Sequence, residues 1–208
     1  MRANALVDEA PAMSAYMRNK FVFMGLKRPM RQALVKEHLP EIATKESDLW
    51  DAVHKLWEED EREYQYAALD LLQWQLKHLR VDLLPLLKDL LISKPWWDTV
   101  DRLASAVIGP LVKHHPQGQE EVFACKDANH LWLERTAILF QLKYKGSTRI
   151  DMLKEVVIQF ADSEEFFHQK AIGWALRTYS RIDPVWVASL LNSIQLSSLS
   201  RREASKYL

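Results

Sequence analysis

Arg135-Thr136-Ala137-Ile138-Leu139-Phe140-Gln141 has a pattern of residue types that occurs at two other places in the chain. Tyr66-Ala67-Ala68-Leu69-Asp70-Leu71-Leu72 and Lys170-Ala171-Ile172-Gly173-Trp174-Ala175-Leu176 likewise set a polar or aromatic residue ahead of small and apolar positions. The starts run from 66 to 135 and from 135 to 170, two periods and then one period of about 35 residues. A further unit is due near residue 101, where Asp101-Arg102-Leu103-Ala104-Ser105 stands. Such a period, with two helices per unit, predicts an all-α helical-repeat solenoid, an α-α superhelix in which each unit covers the apolar face of its neighbour.

Composition agrees. The 208 residues include only five glycines and eight prolines, too few for an all-β chain with many tight turns. Leu, Ala, Glu, Lys and Gln are abundant and favour helix. Helical patterning runs over about 4–24, 29–39, 47–58, 60–79, 82–92, 95–107, 119–124, 129–145, 148–161, 163–180, 184–194 and 200–208. Gly25 follows the first helix and Pro29 opens the second. Thr148 and Ser163 are expected N-caps, and Asp183-Pro184 opens the penultimate helix. The run Ala137-Ile138-Leu139-Phe140 is too apolar for a helix packed on one side only. No linker divides the sequence, so one domain is expected over 1–208.

Cys125 is the lone cysteine, which excludes an intrachain disulfide and suits a reducing, cytoplasmic setting. No secretory signal is visible, and no run approaches the roughly 18 apolar residues of a membrane span. No membrane partner is expected. Basic and acidic residues balance at 28 each, which by itself weighs against a nucleic-acid partner. Acidic residues cluster, however, as in Glu58-Glu59-Asp60-Glu61, leaving basic side chains free to concentrate on another surface.

The register carries chemistry. Tyr66, Asp101, Arg135 and Lys170 fall at equivalent positions and are expected along one face of the array, the concave one. Trp97 lies one turn before Asp101 on the same helical face, and Trp174 one turn after Lys170. Within Lys94-Pro95-Trp96-Trp97-Asp98-Thr99-Val100-Asp101, two indoles and two carboxylates make a receptor for something flat and cationic. The competing reading makes both tryptophans core anchors and both aspartates solvated helix-start charges. His114-His115 is not a metal pair, because neighbouring helical positions face apart. Cys125 reads as a structural thiol, and Trp50, Trp57 and Trp74 as packing groups.

Four segments carry a family resemblance. Tyr16-Met17-Arg18-Asn19-Lys20-Phe21, the Trp96 to Asp101 stretch, Trp132 to Lys145 and Phe166 to Arg177 resemble those of the AlkD-type DNA alkylation repair glycosylases, in order and at compatible spacing from about Tyr16 to the C-terminus. The resemblance implies a HEAT-like repeat fold whose concave basic face holds duplex DNA containing alkylated bases. It implies hydrolysis of the N-glycosidic bond of 3-methyladenine and 7-methylguanine in base excision repair, with no cofactor or metal. Position by position, it makes Asp101 the catalytic carboxylate, Trp97 and Trp174 the aromatic walls, Arg135 a DNA-backbone contact and Tyr16 a further cleft aromatic. Lys143, Lys145, Lys170 and Arg177 are expected to neutralise phosphates.

Two departures from the family pattern stand out. Lys27 occupies a DNA-facing position where a neutral polar residue is the norm, and the segment before Tyr16 is short. A monomer associated with the nucleoid when DNA-bound is the expected state. A non-catalytic relative that binds damaged or branched DNA and a protein-interaction solenoid are the alternatives; salt-dependent duplex binding separates the latter, and base release separates the former.

Overall fold

The computed structural model describes residues 1–42 and 46–208. These residues are all-helical, and the one pairing of extended backbone among them is an isolated parallel bridge between Val22 and Glu61. They form two compact units, Met1–Leu79 and Arg80–Leu208.

The first unit holds α1 (Ala10–Tyr16), α2 (Arg28–Ile42), α3 (Glu46–Glu58) and α4 (Arg62–Trp74). α4 packs against both α2 and α3, and Ala67, Ala68, Leu69, Leu71 and Leu72 are completely buried. The helix expected over 4–24 is much shorter. It ends at Tyr16 because Arg18 and Asn19 both turn left-handed, at φ 56 and 55. Their N–H groups close back on the Ala15 and Ser14 carbonyls, and Asn accepts this conformation at low cost. The chain then runs without helix to Leu26. Buried Glu63 replaces the missing helical partners, taking N–H groups from Met24, Gly25 and Leu26 at 2.8–3.0 Å. Gly25 thus sits inside this loop at φ 86, where a Cβ would fall 2.0 Å from the Leu6 carbonyl oxygen.

The second unit holds α5 (Leu84–Ile92), α6 (Trp97–Leu103), α7 (Gly109–Val112), α8 (Pro116–Phe123), α9 (Leu131–Leu139), α10 (Ile150–Gln159), α11 (Phe166–Tyr179), α12 (Pro184–Ser193) and α13 (Ser198–Ala204). α6 and α7 are halves of one rod joined by a π-helical turn, Ala104–Ile108, so the helix expected to stop near 107 continues to Val112. Pro110 gives the reason: a proline in a regular α-helix lacks its N–H and collides with the carbonyl four residues back, and a widened turn relieves both.

α9 is the hub, packing against α5, α6, α8, α10 and α11 and burying Trp132, Thr136, Ala137, Ile138 and Leu139. It ends before Phe140 rather than at 145; beyond it Lys145 turns left-handed at φ 55. Thr148 and Ser163 are not the N-caps. Arg149 and Glu165 precede the helices, while the Thr148 hydroxyl donates to the Lys145 carbonyl and Ser163 Oγ lies 2.9 Å from His168 Nδ1. Asp183 does cap α12, accepting the Trp186 N–H at 2.8 Å. No helix among the described residues is long and apolar enough to cross a membrane.

Candidate active site and nucleic-acid interface

The adjacent indoles of Trp96 and Trp97 divide between two tasks. Trp96 stays extended at φ −158, ahead of the first turn of α6, and its ring is buried in a cluster with Trp132 and Phe167, centroids 4.9–5.6 Å apart. Trp96 is therefore the core anchor. Trp97 opens the helix half-buried and, at i to i+4, shares a face with Asp101.

Asp101 is the centre of the site. Arg135, 34 residues on, donates Nε to Oδ1 at 2.7 Å and Nη2 to Oδ2 at 2.9 Å. Its Nη1 donates to the Phe167 carbonyl oxygen in the first turn of α11, and the guanidinium lies 5.7 Å from the Phe167 ring. Three helices, α6, α9 and α11, are thus tied at one point. All three guanidinium nitrogens are engaged inward, so Arg135 sits in the structure as the partner of Asp101 rather than as a surface cation. The side chains are 13% exposed for Asp101 and 5% for Arg135.

Burial pushes the Asp101 carboxyl above its ordinary range, Arg135 opposes that rise, and nearby Asp98 adds to it. Both carboxylate oxygens accept N–H donors, an arrangement suited to the anion. The π turn follows directly, and Ser105 Oγ donates to the Asp101 carbonyl at 2.7 Å.

Trp174 lies on α11 two turns beyond Phe167 and is half-buried. Lys170 and Arg177 stand four residues before it and three after, and both reach Glu203 of α13, at 3.1 and 2.7 Å. Lys206 reaches the same carboxylate at 2.8 Å. Glu203, which sequence reasoning gave no role, is mostly buried, and its cationic neighbours, Lys206 first, hold it down at about 2. Its position repeats the Asp101–Arg135 spacing: 33 residues separate Lys170 from Glu203. That periodicity was the one signal for it.

Lys143 and Lys145 are exposed and have no ion-pair partner among the described residues. In the first unit, Tyr16 ends α1 with 71% of its surface exposed, and Lys27 is exposed and paired with Glu9 at 2.8 Å. Beside Arg135, Glu134 sits 3.1 Å from Nε2 of His168, which burial holds below the ordinary histidine value. This second polar contact between α9 and α11 also escaped the sequence reading. Among the described residues no cluster of His, Cys, Asp or Glu is arranged to hold a metal.

A model of the DNA alkylation repair enzyme family matches residues 1–208. The chain belongs to this family. A solved structure described as a predicted DNA alkylation repair enzyme from Enterococcus faecalis superposes with a TM-score of 0.92 at 39% identity, over 97% of this chain and 95% of that one. No match is found among curated proteins. Membership places the chain in the repair of alkylated DNA and carries the all-helical repeat architecture of the family.

Proposed function

We propose that this family member is a DNA glycosylase that hydrolyses the N-glycosidic bond of cationic alkylpurines, 3-methyladenine and 7-methylguanine, in duplex DNA, as a monomer opening base excision repair. The observation that carries the reading is the buried Asp101–Arg135 pair, two-pronged and one turn from Trp97.

Alkylation at N3 or N7 gives the purine a formal positive charge. The C1′–N bond breaks with its electron pair going to the base, which leaves neutral and needs little help from an acid. Positive charge then passes to the sugar, as in glycosidase transition states. A fixed carboxylate stabilises that charge without reorganising, and it orients a water whose oxygen bonds C1′ and whose proton passes to Asp101 or solvent. Trp97 and Trp174 offer ring faces to the cationic nucleotide. Lys143 and Lys145 meet phosphates directly, and Lys170 and Arg177 do so from their anchorage on Glu203. The lesion is selected by charge and bond lability from the backbone side, without enclosure of its base.

The test is release of free 3-methyladenine and 7-methylguanine from a methylated duplex, with Asp101→Asn as control. Release that falls about a hundredfold or more in the variant is expected; equal release by both proteins sinks the assignment. The engagement of both Asp101 oxygens favours a second reading, DNA binding without turnover. Salt-dependent duplex binding with no base release would establish it.

A further inference from the structure

The second unit contains a cavity of about 510 Å³ lined from the ends of α9 and α11 and from α10. Neither Asp101, Arg135, Trp97 nor Trp174 lines it, so the groups proposed to act at the glycosidic bond lie outside it, and only the phosphate-facing Lys143 and Lys145 are shared. Ile138, Leu142, Leu153 and Ile182 give it apolar walls, and the size suits a small molecule.

The same cavity is lined by Lys143, Lys145 and Arg181, all exposed. None of the three has a carboxylate partner among the described residues; Arg181 instead lies 4.1 Å from the Tyr207 ring centroid. Burial, and then the charge of Arg102, holds the Lys143 ammonium below its ordinary value, so its surroundings already carry like charge. Lys145 keeps a left-handed φ of 55 although glycine, which takes that conformation freely, stands next to it at 146. Three unneutralised cations beside an apolar hollow complement an anion attached to an apolar body.

We propose that this cavity binds a nucleotide, its base against Tyr179 and the apolar walls and its phosphate among Lys143, Lys145 and Arg181. Three cations suit a phosphate, with its several acceptor oxygens and up to two charges, better than a fatty carboxylate. The Tyr179 ring gives a base a stacking surface. The occupant is either a free mononucleotide or an unstacked nucleotide of bound DNA, and the second source rests on the reading under Proposed function. Such a nucleotide is not the one being cut, since Asp101 does not line the cavity.

The experiment is titration of the full-length, isotopically labelled protein with deoxyadenosine 5′-monophosphate, followed by backbone amide signals. Saturable binding is expected, with shifts concentrated in 138–153 and 175–182. Deoxyadenosine and inorganic phosphate, each with half of the chemistry, are expected to bind at least about tenfold more weakly. Thr178→Trp fills the cavity from a half-buried wall position, and Lys143→Gln with Lys145→Gln removes two cations at exposed sites. Each is expected to weaken binding about tenfold or more with the helical circular-dichroism spectrum unchanged. No saturation below about 10 mM, shifts centred elsewhere, or octyl phosphate binding as tightly as the nucleotide overturns the proposal.

A duplex with a single-nucleotide bulge, compared with a fully paired one, separates the sources. Preference for the bulge that Thr178→Trp abolishes assigns the site to DNA, and nucleotide binding without that preference assigns it to a free nucleotide. Nucleotide binding by a protein that releases no methylpurine removes the glycosylase reading and leaves this one standing. Methylpurine release without nucleotide binding does the reverse.

Discussion

Arg135 grips Asp101 by both carboxylate oxygens, at 2.7 and 2.9 Å, across 34 residues of sequence. That separation is one structural period, so the contact is made between equivalent positions of successive helical units. The fork of the guanidinium fixes the carboxylate in plane and in direction, which a lysine at 135 would not do. Because Arg135 also spans to the Phe167 carbonyl, the pair couples the site to the packing of α9 on α11.

Arg135→Ala should therefore cost stability as well as activity. It leaves a largely buried carboxylate without its counter-charge and frees the Phe167 carbonyl, a loss of about 3 kcal/mol. Urea denaturation of the variant and the parent at neutral pH measures it. A change below about 0.5 kcal/mol, the size of an ordinary surface substitution, would show that the pair is solvated in solution.

The same pair sets a pH dependence. On the proposed reading excision needs the Asp101 anion, and burial raises its carboxyl above the ordinary range, so activity should fall on acidification with a midpoint above that of an exposed aspartate. Arg135 opposes that rise, and Arg135→Gln should move the midpoint further toward neutrality while Asp98→Asn moves it back down. Single-turnover excision rates across the acid range give both shifts. A midpoint that Arg135→Gln moves downward would contradict the assignment of Asp101 as the titrating group.

Much of this site was readable in the sequence because a repeat writes its geometry into its spacing. Asp101, Arg135 and Lys170 are separated by about one period, and the first two meet in space. The i to i+4 relation of Trp97 to Asp101 was equally local. The division of labour between Trp96 and Trp97 was not, since it depends on Trp132 and Phe167 from distant helices closing around the first ring. Which cation pairs with which acid was hidden for the same reason: Glu203 in the last helix looks like any solvated carboxylate until α13 is laid against α11. The early end of α1 lies in the left-handed turn at Arg18 and Asn19, and the loop beyond it is held by Glu63, far along the chain, accepting the 24–26 N–H groups. The π turn was invisible to periodicity, although Pro110 marked the place.

Glu203 supplies an acid-range prediction on stability. Its ordinary value near 4.5 falls to about 2 in the folded chain, chiefly through Lys206 and then Lys170. A depressed carboxylate stabilises fully above its unfolded value and loses that contribution as pH drops through its folded one, here from about 4.5 toward 2. Glu203→Gln should be less stable than the parent at pH 7, with the gap narrowing at pH 2.5. Denaturation midpoints at the two pH values test this, and a gap that widens in acid would show that the cations do not hold Glu203 in solution. Because Lys170 and Arg177 lose their anchor, the variant's excision rate should also fall, by about tenfold.

Gly173 tests how closely α13 approaches beneath Trp174. A Cβ there would lie 2.5 Å from the Glu203 Cβ and 3.1 Å from the Ser200 carbonyl oxygen, distances that leave no room without moving the helix. Helix propensity pulls the other way, since alanine is favoured over glycine by about 1 kcal/mol in a helix interior. Overpacking should win: Gly173→Ala is expected to destabilise by about 1–3 kcal/mol. Displacing α13 also moves Glu203, so the cations flanking Trp174 lose their placement, and excision should fall with stability. Gly146→Ala is the control, because nothing lies within 4 Å of its added methyl, and it should change stability by no more than about 0.5 kcal/mol. If Gly173→Ala instead melts higher than the parent, propensity has prevailed and α13 rides further from α11 than these distances allow.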